Sequence, residues 1–278
     1  MCTRRRALKA RTFESCPGSH YFALFFLVRT LRPLHIIESG CYKGLGSWVL
    51  RQAAGPQTRM TFISPEIPSL YVDRHNTTLH FWRDPNPHTR GDWSHFKDFN
   101  ELPWGEMLSP QERERTLVFF DDHQAALRRA VEAKRHGFHH VVFDDNYLPN
   151  MGDLLALKPL CHADGRLWRL LGAKPTWAEN FGRPLLHGKT PWYPLGAPLT
   201  WRQHASLVRV YNDTIRAYHE LPPVWAGPNR FGVPRAWWDE LTPAPLLDPP
   251  AARRFVQRHR LGLQTEARRY THIVHVEV

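Results

Sequence analysis

Apolar residues along this chain follow two rhythms, and the way the rhythms alternate predicts a fold. Tyr21 to Leu31 has helical spacing and is closed by Pro33; Leu45 to Ala54 repeats that spacing and stops at Gly55-Pro56. Between and after them come short, strand-sized runs at His35 to Glu38, Met60 to Ile63, Thr77 to Trp82, Arg115 to Phe120 and His139 to Phe143. A third helix spans Gln124 to Arg135 and is closed by Gly137. Strands that alternate with helices predict an α/β fold with a doubly wound, mostly parallel, Rossmann-like sheet.

Two of these strands end abruptly in acid. Phe119-Phe120 runs into Asp121-Asp122-His123, and one helix-length later Val142-Phe143 runs into Asp144-Asp145-Asn146. A buried strand releases polar side chains only at its carboxyl edge, where open α/β sheets bind their ligands. Neighbouring strands of this kind would bring Asp122, Asp145 and Asn146 together as two anionic oxygens and one neutral one. That set suits Mg²⁺ or another hard divalent cation. His123 stands beside the first of them as a candidate general base. In the structural alternative, Asp121 and Asp144 cap the helices that follow and the other acids lie in solvent.

Beyond residue 150 the rhythm loosens. Pro and Trp are frequent, one helix is predicted from Ser206 to His219, and Tyr270 to Val278 alternates like a terminal strand. The expected organisation is a basic leader over 1–20 and a single domain over 21–278. Residues 154–268 form an embedded cap or insertion before the last strand. The Trp- and Pro-rich part of it, Thr176 to Pro250, is expected to cover the pocket and set specificity.

Composition narrows the classes. A chain of 278 residues with 42% hydrophobic and 23% charged residues can bury a full core. No apolar run is long enough for a membrane span. The four cysteines fall at no zinc or redox spacing, so free thiols in a reducing compartment are expected, the cytoplasm by default or an organelle if the basic leader targets one. Cys41 reads as a small buried residue. The net charge of +11 is spread along the chain, which favours a small-molecule substrate over nucleic acid. A homodimer is compatible with all of this.

A glycine turn, Glu38-Ser39-Gly40-Cys41-Tyr42-Lys43-Gly44-Leu45-Gly46-Ser47, joins the first strand to its helix. Its spacing departs from both the dinucleotide fingerprint and the P-loop. The acid at the strand end suits a ligand with a cationic amino group, and a plain structural turn remains the alternative. Glu66, after the second strand, is a candidate partner for ribose hydroxyls. Asp92 or Asp98 is a candidate for an exocyclic amine.

Taken in order, these motifs resemble class I S-adenosylmethionine-dependent methyltransferases. The similarity is greatest to the metal-dependent catechol O-methyltransferase-like and cephalosporin hydroxylase/macrocin O-methyltransferase-like families. Glu38, Gly40 and Gly44 match the first-strand motif, Asp122-His123 the fourth, and Asp145-Asn146 or Asp144-Asp145 the fifth. The resemblance covers Tyr21 to Asp153 and the terminal strand. It implies an S-adenosylmethionine-dependent enzyme that O-methylates a small hydroxylated molecule with the help of a divalent metal. Glu38, Ser39, Gly40, Tyr42, Gly44, Glu66, Asp92 and Asp121 would hold the cofactor, Asp122, Asp145 and Asn146 the metal, and His123 would be catalytic. One position departs from the pattern: Ala125 stands where the catechol type has a lysine base. A methyltransferase-like binding protein without chemistry is therefore one alternative, and an RNA or protein methyltransferase is another.

Overall fold

A computed structural model describes residues 18–65, 67–81, 97–144, 146, 156–161, 200–224, 243–259 and 273–278. Glu66, Asp92 and Asp145 lie outside these residues, as do the basic leader and most of the Trp- and Pro-rich stretch.

Seven strands form one sheet in the order β3-β2-β1-β4-β5-β7-β6. They are β1 (His35–Ser39), β2 (Arg59–Ser64), β3 (Thr77–Phe81), β4 (Thr116–Phe120), β5 (His140–Phe143), β6 (Ala217–Glu220) and β7 (Val274–Glu277). The first five are parallel, and β7 runs antiparallel between β5 and β6. This is the doubly wound, mostly parallel sheet that the residue pattern predicts.

The helices are α1 (Gly18–Leu31), α2 (Leu45–Ala54), α3 (Trp104–Met107), α4 (Pro110–Glu114), α5 (Ala126–Arg135), α6 (Lys158–Cys161), α7 (Trp201–Thr214) and α8 (Pro249–His259). Alternate strand residues divide between two cores, as the period of two requires. Ile36, Phe62, Leu117, Phe119 and Val142 pack with Ala23, Leu24, Val49 and Leu50 of α1 and α2. On the other face Ile37, Val118, Phe120, Val141 and Phe143 meet Leu127 and Ala130 of α5 and Leu207 and Tyr211 of α7. The central strands are buried on both faces, which is why they read as unbroken apolar runs.

One expectation is corrected. The helix predicted over Ser206 to His219 is α7, which ends at Thr214, and Ala217–Glu220 is a strand paired with β7. Tertiary pairing overrides the local helical spacing there. The described residues of 154–268 include parts of the core and of the sheet. Leu160, Leu207, Tyr211 and Ile215 are core residues, and β6 completes the sheet.

Candidate functional site

The strand order reverses direction between β1 and β4: β2 and β3 extend the sheet one way, β4 and β5 the other. A crevice opens at such a switch point, outside the carboxyl ends of the two strands. The glycine turn follows β1 and Asp121-Asp122-His123 follows β4, so the sheet brings both motifs to this edge. The register aligns Ser39 with Phe120, and the Asp121 amide donates to the Ser39 carbonyl at 2.8 Å.

Why the turn needs glycine is visible at two positions. Gly40 has φ +96°, and a Cβ there would stand 2.1 Å from the Asp121 carbonyl oxygen. Gly44 has φ +88°, and its Cβ would stand 1.9 Å from the Tyr71 carbonyl oxygen. Only glycine combines left-handed backbone with such close approach. The approaching atoms are the protein's own backbone, so these glycines seat the β1 and β4 tips against each other and the turn against Tyr71. Tyr42 projects from the turn, 69% exposed, with the Lys43 ammonium 5.0 Å from its ring centre. Cys41 is buried, and its thiol donates to the Ile63 carbonyl.

Glu38 points from β1 toward α2 and is 1% exposed. The Ser47 hydroxyl of α2 donates to its carboxyl. Burial pushes Glu38 up to about 8, with the Ser47 and Cys41 hydrogen bonds pulling weakly the other way. At neutral pH this carboxyl is largely protonated.

Asp122, on the opposite face, has a different environment. Its Oδ2 accepts from the Ser39 hydroxyl at 2.7 Å and from an Arg129 guanidinium nitrogen at 2.6 Å. Its Oδ1 accepts the Gln124 amide at 3.3 Å. Arg129, on α5, is 3% exposed and spends all four Nη hydrogens on carboxylates: two on Asp98, one on Asp122 and one on Glu132. Burial pushes the Asp122 carboxyl above its ordinary value, Arg129 pulls against that, and Asp98 adds to the push. Burial works against the Arg129 charge, but Asp122 and Asp98 more than restore it.

The remaining expected residues are placed as follows. Asp121 follows β4 and is half-buried at the crevice edge. Asp121 does not cap α5, whose N-cap is Ala125 without a side-chain bond. His123 is exposed at the β4 tip with φ +53°, a left-handed conformation that non-glycine residues adopt rarely and often at functional sites. Asp144 turns to the α1 face, where His20 lies 3.1 Å from its carboxylate. Asp98 closes on Arg129 and caps the turn Phe99–Glu101, so its carboxylate is already engaged.

Asn146 is buried at the β5 tip. Its Oδ1 accepts the Leu157 and Lys158 amides, each at 3.0 Å, and its Nδ2 donates to the Tyr218 hydroxyl at 2.8 Å. A buried pair, Lys158 and Glu220 at 2.7 Å, adjoins this network. The two described members of the expected metal set thus do not form the expected donor set: both lone pairs of the Asn146 oxygen are engaged, and Asp122 Oδ2 is closed. Among the described residues no group of three His, Cys, Asp or Glu is arranged to hold a metal ion. No helix among them is long and apolar enough to cross a membrane.

Sequence reasoning missed Arg129 and the Tyr218–Glu220–Lys158 group, and it placed Ser47 in the turn without its bond to Glu38. The only local signal for Arg129 is its i,i+3 spacing to Glu132, which an exposed helix face would show as well.

No family model matches the chain, and no curated protein matches it in sequence. Solved structures are similar to it at low identity. The O-methyltransferase TomG from Streptomyces achromogenes, solved with SAM, is 13% identical with a TM-score of 0.38, and the match covers 76% of each chain. An O-methyltransferase from Bacillus cereus, in complex with SAH, is 8% identical with a TM-score of 0.39, over 95% of this chain and 83% of that one. A Mg-SAM structure of CmcI is 20% identical with a TM-score of 0.28, over 45% of this chain and 51% of that one. The fold assignment rests on strand order and register.

Proposed function

We propose that this chain is an S-adenosylmethionine-dependent methyltransferase acting on a small molecule. The observation that carries the reading is the meeting of Ser39-Gly40 with Asp121-Asp122-His123 across the switch point of the sheet. Bound there, S-adenosylmethionine would supply an electrophilic methyl group on a sulfonium. Gly40 and Gly44 fix the turn that carries Tyr42 toward solvent beside the cofactor. Ser39, Tyr42 and Asp121, with Glu66 and Asp92, are the proposed cofactor contacts, and Glu38, buried against Ser47, supports the turn behind them.

His123 is the proposed base, exposed beside the crevice where an acceptor would approach. The methyl carbon would pass to the acceptor oxygen, and the electrons of the former C–S bond would stay on sulfur. The acceptor's proton goes to the imidazole. Holding donor and acceptor in line would lower the barrier by orientation. Metal assistance, the finer form of this reading, has no support from Asp122 or Asn146, whose oxygens are engaged as described, and no step is assigned to a metal.

One observation favours a second reading, a methyltransferase-like binding protein: Ala125, not lysine, precedes α5. Calorimetry with S-adenosylhomocysteine tests the first reading. Saturable one-to-one binding is expected, weakened at least tenfold in Gly40→Val if that variant remains folded by circular dichroism. A folded wild-type protein that binds no S-adenosylhomocysteine would reject the proposal. Binding without methyl transfer to any of a panel of phenols, acids and amines would favour the second reading.

A further inference from the structure

We infer that the positive charge at the tip of β4 is internal, the Arg129 guanidinium, and that methyl transfer in this chain proceeds without a divalent cation on Asp122 and Asn146. This rests on the methyltransferase reading above and sharpens it.

Three observations converge. Asp122 Oδ2 already receives two donors, one of them a full cation at 2.6 Å, which leaves a single open lone pair on Oδ1. Arg129 cannot swing aside freely: four hydrogen bonds tie it to Asp98, Asp122 and Glu132, and it lies 5.3 Å from the centre of the Phe120 ring. Asn146 would have to release two backbone amides, Leu157 and Lys158, before its oxygen could face a metal. A divalent ion beside Asp122 would also meet the guanidinium at short range with its like charge doubled. Arg129 is thus a positioning residue. It fixes Asp122, and through the Ser39 hydroxyl it ties the β4 tip to the β1 tip at the floor of the crevice.

The acceptor class follows. Without a Lewis acid on Asp122 and Asn146, a hydroxyl as weakly acidic as water, with a pKa of about 15.7, would be a poor substrate there. A phenol near the tyrosine value of about 10, a carboxylic acid or an amine can give its proton to a side chain or to water. The structure therefore points to acceptors of these kinds over plain alcohols.

The test uses the full chain with S-adenosylhomocysteine present and Mn²⁺ as the probe, followed by electron paramagnetic resonance and calorimetry. No saturable Mn²⁺ binding into the millimolar range is expected, or only binding that survives Asp122→Asn. One-to-one Mn²⁺ binding lost in Asp122→Asn would overturn the inference. Should that variant fail to fold, paramagnetic broadening of the wild-type amides from Asp121 to Gln124 decides the same point: broadening overturns the inference and its absence supports it. S-adenosylhomocysteine binding is measured separately in EDTA. Its loss there would strike the methyltransferase reading if metal does not restore it, and the present inference if metal does.

Discussion

Glu38 and Asp122 are carboxyl groups on adjacent strands, near the same edge of the sheet, and burial threatens both. Glu38, on the α1 and α2 face, has a serine hydroxyl and no guanidinium, and it keeps its proton up to about pH 8. Asp122, on the α5 face, has Arg129 at 2.6 Å and shares it with Asp98, while Glu132 occupies the other Nη. The difference shows that a low-dielectric site can hold an acid either by leaving it neutral or by importing an opposite charge. It also shows that a single motif residue type, an acid at a strand end, does not announce which of these it will be.

The largest effect is expected from removing the imported charge. Arg129→Met would leave Asp98, Asp122 and Glu132 around an apolar side chain, and breaking a buried pair in this way costs about 3–5 kcal/mol. Urea denaturation would read this as a lower midpoint, and adding Asp122→Asn should recover part of it. No loss in the single variant would mean that Arg129 is not what holds Asp122.

Glu38 should respond to pH instead. Its folded value of about 8 lies above its ordinary 4.5, so its contribution is fully present below pH 4.5 and is lost as pH rises through 8. Glu38→Gln should flatten that decline in thermal stability across the window while changing little at its acid end. A variant equally destabilised at both ends would make Glu38 a charged, paired acid like Asp122, and the contrast would disappear.

The smallest effect belongs to Ser47→Ala. Deleting the hydroxyl that donates to Glu38 removes a bond worth about 1 kcal/mol and a term that favours the carboxylate. The pH at which stability declines should therefore move upward, and a downward shift would contradict the assigned donor.

Much of the fold was legible because its central strands are covered on both faces, so Ile36-Ile37, Leu117 to Phe120 and Val141 to Phe143 appear as unbroken apolar runs. β6 was hidden because Ala217 to His219 continues the spacing of α7, and only pairing with the distant β7 makes it a strand. The site was legible as a place and less so as a set of bonds. Gly40 and Gly44 marked the turn correctly, but the atoms that crowd them, from Asp121 and Tyr71, are long-range neighbours. Asn146 stood in the right motif, yet its oxygen serves two amides eleven and twelve residues onward. Arg129 lay in an arginine-rich helix where nothing local separates an inward side chain from solvated ones.

The placement of β7 carries a consequence for how the molecule is assembled. Residues 274–277 lie between two strands that precede them in the chain, so among the described strands β6 has no partner until they arrive. During synthesis the β3-to-β5 half can zip together early, while Ala217–Glu220 must wait for Val274–Glu277 to be threaded in beside it. Removing Val274–Glu277 would cost the sheet two strand pairings at once, one with β5 and one with β6.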